Sequence, residues 1–372
     1  MRRILSVISG NIESGGVETY LKDVYERINM NDLSIDVLVP GEIKYDPYAD
    51  FFRKLGCKLI VCKIPQNNKM RYISLYKAVL QHLNRYKYDL IHVNTGNVTI
   101  QAVVLAAAKW KKVPIRISHS HGTVYTGGRL HETIKKAMRN YINRNATIKL
   151  ACSYLAAESL FGKSHASEVI IAKNGINAEN YRFDFKVRDR VRTDNGWNDK
   201  FIIGSVGRLA PEKNYSFILK VFKEILLLNE DCILVLVGDG EEKKRLKEEA
   251  VKLEIVNKVQ FLGVRRDVPS VMQGYDVFVL ASKREALGIV NIEAQATGLS
   301  CIISDAIPKE VDVTGNVTFL SLNDSYRKWA EVILRASDND KRKDCSCIVK
   351  EHGFNLSDSY KVIEDIYRFN IH

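Results

Sequence analysis

The sequence lacks a hydrophobic run long enough to cross a bilayer, which takes about 18 consecutive apolar residues. Its most apolar stretch, AVVLAAA at 102–108, is far shorter than that. The opening MRRILSVIS is followed by GNIESGGVE instead of a small-residue cleavage site, so we interpret it as a first strand and not as a signal peptide. These absences predict a cytoplasmic protein without a spanning helix.

Paired cysteines are also missing. The seven cysteines are odd in number and scattered, none forms Cys-x-x-Cys, and most lie in strand-like stretches such as DCILVLV. Reduced structural thiols in a cytosolic protein fit this distribution. Nothing pairs with Cys345 and Cys347, and no third ligand stands near His119 and His121, so the sequence predicts no metal site.

Acidic residues are scarce in the first half of the chain. The net charge is +12, and the whole of this excess lies in residues 1–185. Residues 109–150 hold ten basic side chains and a single acid, Glu132. Such asymmetry indicates two halves with different roles. Nucleic acid is not a favoured partner, because no recognition motif is present and aromatic residues do not interleave the basic run.

Short apolar runs alternate with stretches of helical period along the whole chain. ILSVI, IDVLV and DLIHV, and later FIIGSVG, CILVLVG and SCIIS, are typical of buried parallel strands between helices. The pattern occurs twice in 372 residues, so we predict an α/β fold of two doubly wound Rossmann-like domains. We place them at 1–180 and 181–355, because residues 178–200 are polar and aperiodic, and expect a C-terminal helix within 356–372.

The turns that follow strands are the candidate site, because doubly wound sheets bind ligands beyond the carboxyl ends of their strands. The first such turn, at 9–20, contains three glycines, including Gly16, that allow close backbone approach to a ligand; a tight packing turn is the alternative. The stretch RISHSHGTVYTGG at 116–128 brings His119 and His121 to a strand end. Structural histidines are the alternative there.

Two turns in the second half carry charged residues. Arg208 and Lys213, after FIIGSVG, can hold a diphosphate, with a solvated basic loop as the alternative. Glu285 and Glu293 flank Gly288 at the start of a helix; a surface acid and a helix ion pair would explain them equally.

A long ligand with an anionic middle suits the start of that helix. Backbone N–H groups of Gly288, Ile289 and Val290 would meet the anion, and the two carboxylates would meet hydroxyl-rich ends. Eight residues of continuous helix would separate Glu285 from Glu293 by about 12 Å, too far for a retaining glycosidase pair. A nucleotide sugar has the required shape.

Together these motifs resemble glycosyltransferase family 4, retaining enzymes of the GT-B fold. SVGRLAPEKN, LVGDG, VQFLGVRRDV, DVFVLAS and the Glu-x₇-Glu of EALGIVNIE follow in order over residues 201–298, and SGGVETYL and KNGINAENY extend the resemblance over nearly the whole chain. The resemblance implies an acceptor-binding first domain and a donor-binding second domain facing across a cleft. It also implies that the last helix, 356–369, packs back on the first domain.

The resemblance implies a role for several residues. Arg208 and Lys213 would hold the donor diphosphate in place of a metal, so no metal and no cofactor are expected. Glu293 would bind the ribose hydroxyls and Glu285 the hydroxyls of the transferred sugar. His121 would touch that sugar and fits this role better than the other histidine of the motif. Val264 and Arg265 would lie near the nucleobase, and Gly16 would approach the diphosphate from across the cleft.

The implied reaction moves a hexose-type sugar, with retention, from a nucleoside diphosphate sugar to a glycan or a polyprenyl-diphosphate-linked acceptor. A UDP-sugar is the favoured donor. Ala286 stands where the family often has Gly, and AIPKEVDVTGN resembles the bacterial exopolysaccharide and capsule branch. A nucleotide-sugar epimerase of the same fold and a non-catalytic nucleotide-sugar-binding protein are the alternatives.

The basic excess suggests a further partner. The segment HETIKKAMRNYINR at 131–144 is predicted to form a basic amphipathic helix, which fits an anionic membrane surface. We therefore expect a peripheral enzyme at the inner face of the cell membrane. The alternative is a helix packed on its own domain by its apolar stripe. The predicted stripe is Ile134, Met138, Tyr141 and Ile142, and the predicted membrane-facing residues are Lys135, Lys136 and Arg139.

Overall fold

The computed structural model describes residues 1–8, 10–12, 16–43, 46–62, 64, 70–122, 129–336 and 342–369. The chain divides into two compact units, Met1–Gly175 with Leu356–His372, and Ile176–Asn355. The predicted boundary at 180/181 therefore lies five residues too late. The reason is that Ile176, Ala178 and Tyr181, in the stretch assigned to the first domain, are buried in the core of the second unit.

The first unit is built on a parallel sheet of seven described strands in the order β3-β2-β1-β4-β5-β6-β7. The inner strands are rich in apolar residues and their central residues are buried, as expected for a sheet covered on both faces, whereas the edge strands are partly exposed. The strands are β1 (Arg2–Ile8), β2 (Leu33–Val39), β3 (Lys58–Val61), β4 (Leu90–Asn94), β5 (Ile115–Ser120), β6 (Ile148–Ala151) and β7 (Ile170–Ile171).

Helices connect these strands, and side chains cap two of them. Asn97 accepts hydrogen bonds from the N–H groups of Thr99 and Ile100, and Ser153 accepts one from Ala156, so each supplies the partner that the first helical turn lacks. The helices are α1 (Gly16–Tyr25), α2 (Asp46–Lys54), α3 (Arg71–Arg85), α4 (Val98–Trp110), α5 (Arg129–Asn145) and α6 (Tyr154–Phe161).

The second unit repeats the plan with six described parallel strands in the order β10-β9-β8-β11-β12-β13. Alternate residues of the central β11 enter different cores: Val277 and Val279 face one side, Phe278 and Leu280 the other. The sheet is therefore covered on both faces, as predicted. The strands are β8 (Phe201–Val206), β9 (Cys232–Val237), β10 (Val259–Gly263), β11 (Val277–Leu280), β12 (Ser300–Ser304) and β13 (Val317–Leu320).

The helices of the second unit are α7 (Phe185–Asp194), α8 (Tyr215–Leu226), α9 (Lys243–Lys252), α10 (Val268–Gln273), α11 (Ile289–Ala296), α12 (Tyr326–Arg335) and α13 (Ser346–Val349). Three arginines hold the end of α10: Arg188, Arg192 and Arg342 donate hydrogen bonds to carbonyl groups of residues 272–275. Carbonyls at a helix end lack intrahelical partners, so these contacts satisfy them.

The last helix, α14 (Leu356–Phe369), belongs to the first unit. Ile363, Ile366 and Tyr367 are buried in the core that also contains Tyr25, and the Arg2 guanidinium donates to the Tyr367 carbonyl at 2.7 Å. The chain thus returns to its first unit, as the family resemblance implied. Within the described residues no helix combines the length and the apolar character needed to span a membrane.

Candidate active site

Two turns at the carboxyl edge of the second sheet bring Lys213 and Glu285 together. Lys213 follows β8 and Glu285 follows β11, and these strands are neighbours in the sheet. The Lys213 ammonium forms an ion pair with Oε1 of Glu285, which also accepts a hydrogen bond from Ser282 Oγ at 3.0 Å. Only 19% and 14% of the two side chains are exposed, so water screens this pair less than a surface pair.

A glycine shapes the first of these turns. Gly207 has φ +153°, and a Cβ there would lie 3.1 Å from the hydroxyl of the buried Tyr215 and 3.7 Å from Cε of Lys213. A side chain at Gly207 would therefore crowd the Tyr215 hydroxyl, and the backbone conformation there favours glycine. The N–H of Lys283 donates to the Glu212 carbonyl at 2.8 Å, which ties the two turns to each other.

Arg208 lies at the rim of the same edge. Its guanidinium forms an ion pair with Oε1 of Glu212 at 2.7 Å, and 42% of its side chain is exposed. Burial raises the pKa of the Glu212 carboxyl, but the hydrogen bond from Arg208, a backbone hydrogen bond and the nearby charges of Arg208 and Lys213 together outweigh it, and the net pKa is lowered. Both predicted diphosphate-binding cations therefore stand at this edge, each beside a carboxylate.

The third predicted element is the start of α11. Gly288 caps the helix in the left-handed conformation, with φ +69°, where a Cβ would lie 2.7 Å from Nδ2 of Asn291. The first N–H groups of a helix have no intrahelical acceptor, so those at Ile289 and Val290 point out of its positive end. Glu293 lies one turn further on and is half-buried. Glu285 lies outside the helix, as predicted.

The predicted base-binding residues follow β10. Val264 is exposed, and the Arg265 guanidinium grips Asp267 with two hydrogen bonds, at 2.8 and 2.6 Å. The hydrogen bond from Arg265 lowers the pKa of the Asp267 carboxyl. These residues lie at the same edge of the sheet as Lys213, because the strands are parallel.

In the first unit, His121 directly follows β5. Its Nε2 lies 3.3 Å from Oδ1 of Asn94, and its ring packs against Tyr20 with the centroids 5.0 Å apart. Burial lowers the pKa of His121 to about 3, against a smaller opposite effect of the hydrogen-bonding Asn174 side chain. The imidazole is therefore neutral at physiological pH.

His121 is the last member of a row of polar rings. Its ring centroid lies 3.8 Å from that of His119, whose Nδ1 is 3.1 Å from Nε2 of His92. Nδ1 of His92 in turn lies 2.8 Å from the hydroxyl of Tyr367 in α14. Burial holds the pKa of both His92 and His119 well below the usual histidine range, so this row is neutral as well.

Gly16 begins α1 and is exposed. A Cβ added at Gly16 would meet no described atom within 4 Å, so packing in the described part of the unit does not require glycine there. Residues 13–15 of the predicted turn, including Gly15, lie outside the described residues.

The prediction that Lys135 faces outward is wrong. Lys135 is only 6% exposed and lies 3.4 Å from Glu132, whereas Ile134, predicted for the apolar stripe, is 47% exposed. The buried face of α5 instead follows Lys135 and Ile142, seven residues apart. Arg139 donates from Nε to the Ser159 carbonyl at 3.0 Å, so only Lys136 of the three predicted basic residues is an exposed side chain.

Each of the two units matches a family of known proteins. Residues 187–351 match the family described as glycosyl transferases group 1, and residues 15–169 match a glycosyl transferase 4-like domain. The putative glycosyltransferase EpsF of Bacillus subtilis is 31% identical to this chain, over 99% of the chain and 97% of EpsF. The chain belongs to the group 1 glycosyltransferases.

One further relative and two solved structures are similar to this glycosyltransferase over most of its length. A galactosyltransferase of Escherichia coli, named UDP-Gal:alpha-D-GlcNAc-diphosphoundecaprenol alpha-1,3-galactosyltransferase, is 27% identical over 79% of the chain and 78% of its own length. The crystal structure of Anabaena HepE in complex with UDP-glucose superimposes with a TM-score of 0.78, at 20% identity, covering 98% of this chain and 99% of HepE. WaaG, involved in lipopolysaccharide biosynthesis, gives a TM-score of 0.76 at 16% identity, covering 98% of this chain and all of WaaG. The two structures establish the GT-B fold.

Sequence reasoning missed part of the polar row in this glycosyltransferase. Asn94, His92 and Tyr367 were not predicted as site residues. The signal was present in DLIHVN, where His92 and Asn94 alternate with apolar residues in a strand that should be buried throughout. Polar residues in such a strand need hydrogen-bond partners, which points to a network.

Proposed function

We propose that the protein is a retaining glycosyltransferase that moves a hexose-type sugar from a UDP-sugar to a glycan or polyprenyl-diphosphate-linked acceptor, in bacterial exopolysaccharide or capsule biosynthesis. The single observation that carries the proposal is the meeting of Lys213 and Glu285 beside the start of α11. A cation for phosphate, an acid for hydroxyls and a helix N-terminus are the groups that a nucleotide sugar requires.

The ion pair suggests how donor binding prepares the site. In the donor complex the ammonium of Lys213 turns to the diphosphate oxygens, and the released Glu285 carboxylate accepts hydrogen bonds from the sugar hydroxyls. Each group exchanges one partner for another, so neither charge is left unpaired. Ser282 keeps its hydrogen bond to Glu285 and holds the carboxylate in place.

Charge that develops on the leaving diphosphate needs stabilisation in the transition state. Arg208, Lys213 and the N–H groups at 288–290 supply it, and we propose that the reaction therefore proceeds without a metal. The remaining donor contacts are assigned as the family resemblance implies: Glu293 to the ribose, Val264 and Arg265 to the base, Gly16 to the diphosphate and His121 to the sugar.

The names of relatives support the choice of donor and acceptor. The Escherichia coli relative is named for UDP-galactose and a diphosphoundecaprenol-linked acceptor, and HepE has been crystallised with UDP-glucose. The EpsF relative, named as a putative glycosyltransferase, supports sugar transfer by its similarity over nearly the whole chain.

Product analysis tests the function. Chelator-treated protein is incubated with UDP- and GDP-sugars and polyprenyl-diphosphate-linked acceptors, and NMR of the product reports the anomeric configuration. We expect an α-linked product from a UDP-α-sugar, loss of that product in Glu285→Ala and in His121→Ala, and nearly unchanged UDP affinity in both variants. Glu331→Ala, which removes a surface acid of α12, is the matched control. A UDP-sugar isomer formed without acceptor would establish the epimerase instead. Binding of the nucleotide sugar without any product would establish the non-catalytic nucleotide-sugar-binding protein.

We also propose that the first unit contacts an anionic membrane from the cytoplasmic side, through the starts of α5 and α6. Ile134 and Tyr154 are 47% and 62% exposed there, and Lys136 is exposed beside them. Both helices begin at the carboxyl edge of the sheet, where ligands bind. Apolar anchors with a neighbouring cation are what an interfacial contact requires.

Liposome co-sedimentation tests this contact. The double variant Ile134→Asp/Tyr154→Asp should bind vesicles containing anionic lipid at least about ten-fold more weakly, since each change removes an apolar anchor and adds a repelled charge. Trp110→Asp is the control, because Trp110 is 72% exposed but ends α4 at the opposite edge of the sheet. Equal loss in both would contradict the assigned surface.

A further inference from the structure

The neutral His121 ring can carry its proton on either nitrogen, and the structure holds a group that selects one of them. Asn94, at the end of β4, is completely buried. Its Nδ2 donates to Ser6 Oγ at 3.1 Å and to the His92 carbonyl at 3.3 Å. The His92 carbonyl can only accept, so it fixes which end of the amide is nitrogen. Oδ1 therefore points to Nε2 of His121, 3.3 Å away.

An amide oxygen accepts and never donates, so this contact is a hydrogen bond only when His121 carries its proton on Nε2. Because the ring is neutral, Nδ1 of His121 then keeps a lone pair. That nitrogen is buried and makes no bond of hydrogen-bonding geometry with any described residue.

A second asparagine competes for the ring. The half-buried Asn174, two residues before the second unit begins, interacts with His121, and an oxygen turned to Nδ1 would favour the opposite tautomer. Asn94 prevails over Asn174 for a physical reason. Turning the Asn94 amide would break its buried hydrogen bond to the His92 carbonyl and place two oxygens against each other, whereas no described residue holds Oδ1 of Asn174 in place.

We propose that Asn94 is a positioning residue that fixes His121 as the neutral tautomer protonated on Nε2, leaving Nδ1 as the hydrogen-bond acceptor for a hydroxyl of the donor sugar. The sugar contact rests on the proposed function; the tautomer rests on the contacts of Asn94 alone. His119 contacts the same ring in a tilted arrangement, and its own position is fixed through His92 and Tyr367.

Nitrogen NMR of the full-length protein with ¹⁵N-labelled histidine reads the tautomer directly, and the His121→Gln variant assigns the signals. We expect a protonated Nε2 and an unprotonated Nδ1 in the wild type, unchanged from pH 8 to pH 6. Asn94→Leu should give an averaged mixture of both tautomers, and Asn174→Ala should keep the wild-type pattern. A wild-type ring protonated on Nδ1, or an unaltered pattern in Asn94→Leu, would overturn the proposal.

Asn94→Asp covers the case in which Asn94→Leu does not fold. The aspartate retains an acceptor of the same shape, so Nε2 stays protonated, and its charge raises the pKa of His121. If Asn94→Asp instead moves the proton to Nδ1, the assignment is wrong.

Kinetics then link the tautomer to transfer. Asn94→Leu should lower kcat about 10²-fold with little change in donor KM, the size expected for a misaligned catalytic group. An unchanged kcat would refute the role of Asn94 in positioning. A wild-type protein that transfers no sugar but shows the expected tautomer would refute the proposed function and leave the role of Asn94 in setting the ring intact.

Discussion

The two polar clusters of this molecule solve opposite problems. In the second unit, Lys213 and Glu285 form an ion pair with 19% and 14% of the side chains exposed, and the proposed function requires each of them to exchange its partner. In the first unit, His92, His119 and His121 are buried and neutral, and their partners are fixed. A cluster that has to grip a charged diphosphate benefits from mobile charge. A cluster that has to present one lone pair to a hydroxyl benefits from a rigid frame without charge, because burying a charge is costly.

The largest effect should come from removing the mobile charge. Lys213→Ala deletes a group that meets the leaving diphosphate, and we expect kcat/KM to fall about 10³-fold, the upper range for one preorganised electrostatic contact. Calorimetry should also detect weaker UDP binding. Lys328→Ala, which removes an exposed lysine paired with Asp324, is the control. If Lys213→Ala were as active as the wild type, the charge of Lys213 would have no role in the reaction. The contrast between the charged pair and the neutral histidine row would then have no functional meaning.

Acidic pH should destabilise the folded protein through the neutral cluster of His92, His119 and His121. Burial lowers the pKa of all three histidines, so the unfolded chain binds protons that the folded protein excludes. Their contribution is complete above the unfolded pKa of about 6.5 and is lost progressively as the pH falls below it, for His121 down to a folded pKa of about 3. Each histidine adds up to about 1.4 kcal/mol per pH unit to the slope of the unfolding free energy.

Urea unfolding at pH 7, 6 and 5 measures that slope. His119→Gln should lower this slope by an amount that corresponds to at most one bound proton. His352→Gln, at an exposed position in the second unit, should give the wild-type slope. If the unfolding free energy depends on pH in the same way in the wild type, His119→Gln and His352→Gln, then folding does not suppress protonation of His119.

The smallest expected effect tests whether Tyr367, at the far end of the histidine row, helps to hold His121 in position. Tyr367→Phe removes the hydroxyl 2.8 Å from His92 and leaves one buried nitrogen without that partner, which costs about 1–3 kcal/mol of unfolding free energy. Because two rings separate Tyr367 from His121, we expect only a few-fold loss of kcat. Tyr360→Phe in the same helix is the control for the loss of a hydroxyl.

The sequence predicted those features that depend on local pattern and on strand order. The apolar runs located the strands, and the family motifs placed Lys213 and Glu285 at the same sheet edge. Their ion pair was not predictable, because it spans 72 residues and depends on the pairing of β8 with β11. Lys135 and Ile134 were misjudged together: the buried face of α5 follows Lys135 and Ile142, and a lysine can lie on such a face because its long apolar stem packs there.

The histidine row shows a different gap. Its residues come from β4, β5 and α14, so no local window of sequence contains more than two of them. Only the topology brings Tyr367 next to His92, 275 residues away. Networks of this kind become visible in a sequence only as unexplained polar residues in apolar strands.

The return of α14 to the first unit sets an order of events during synthesis. Residues 1–175 leave the ribosome first, but their core remains open until Ile363, Ile366 and Tyr367 emerge. The second unit, residues 176–355, is continuous in sequence and has all its parts earlier. On the ribosome, the half of the protein that is made first therefore finishes folding last.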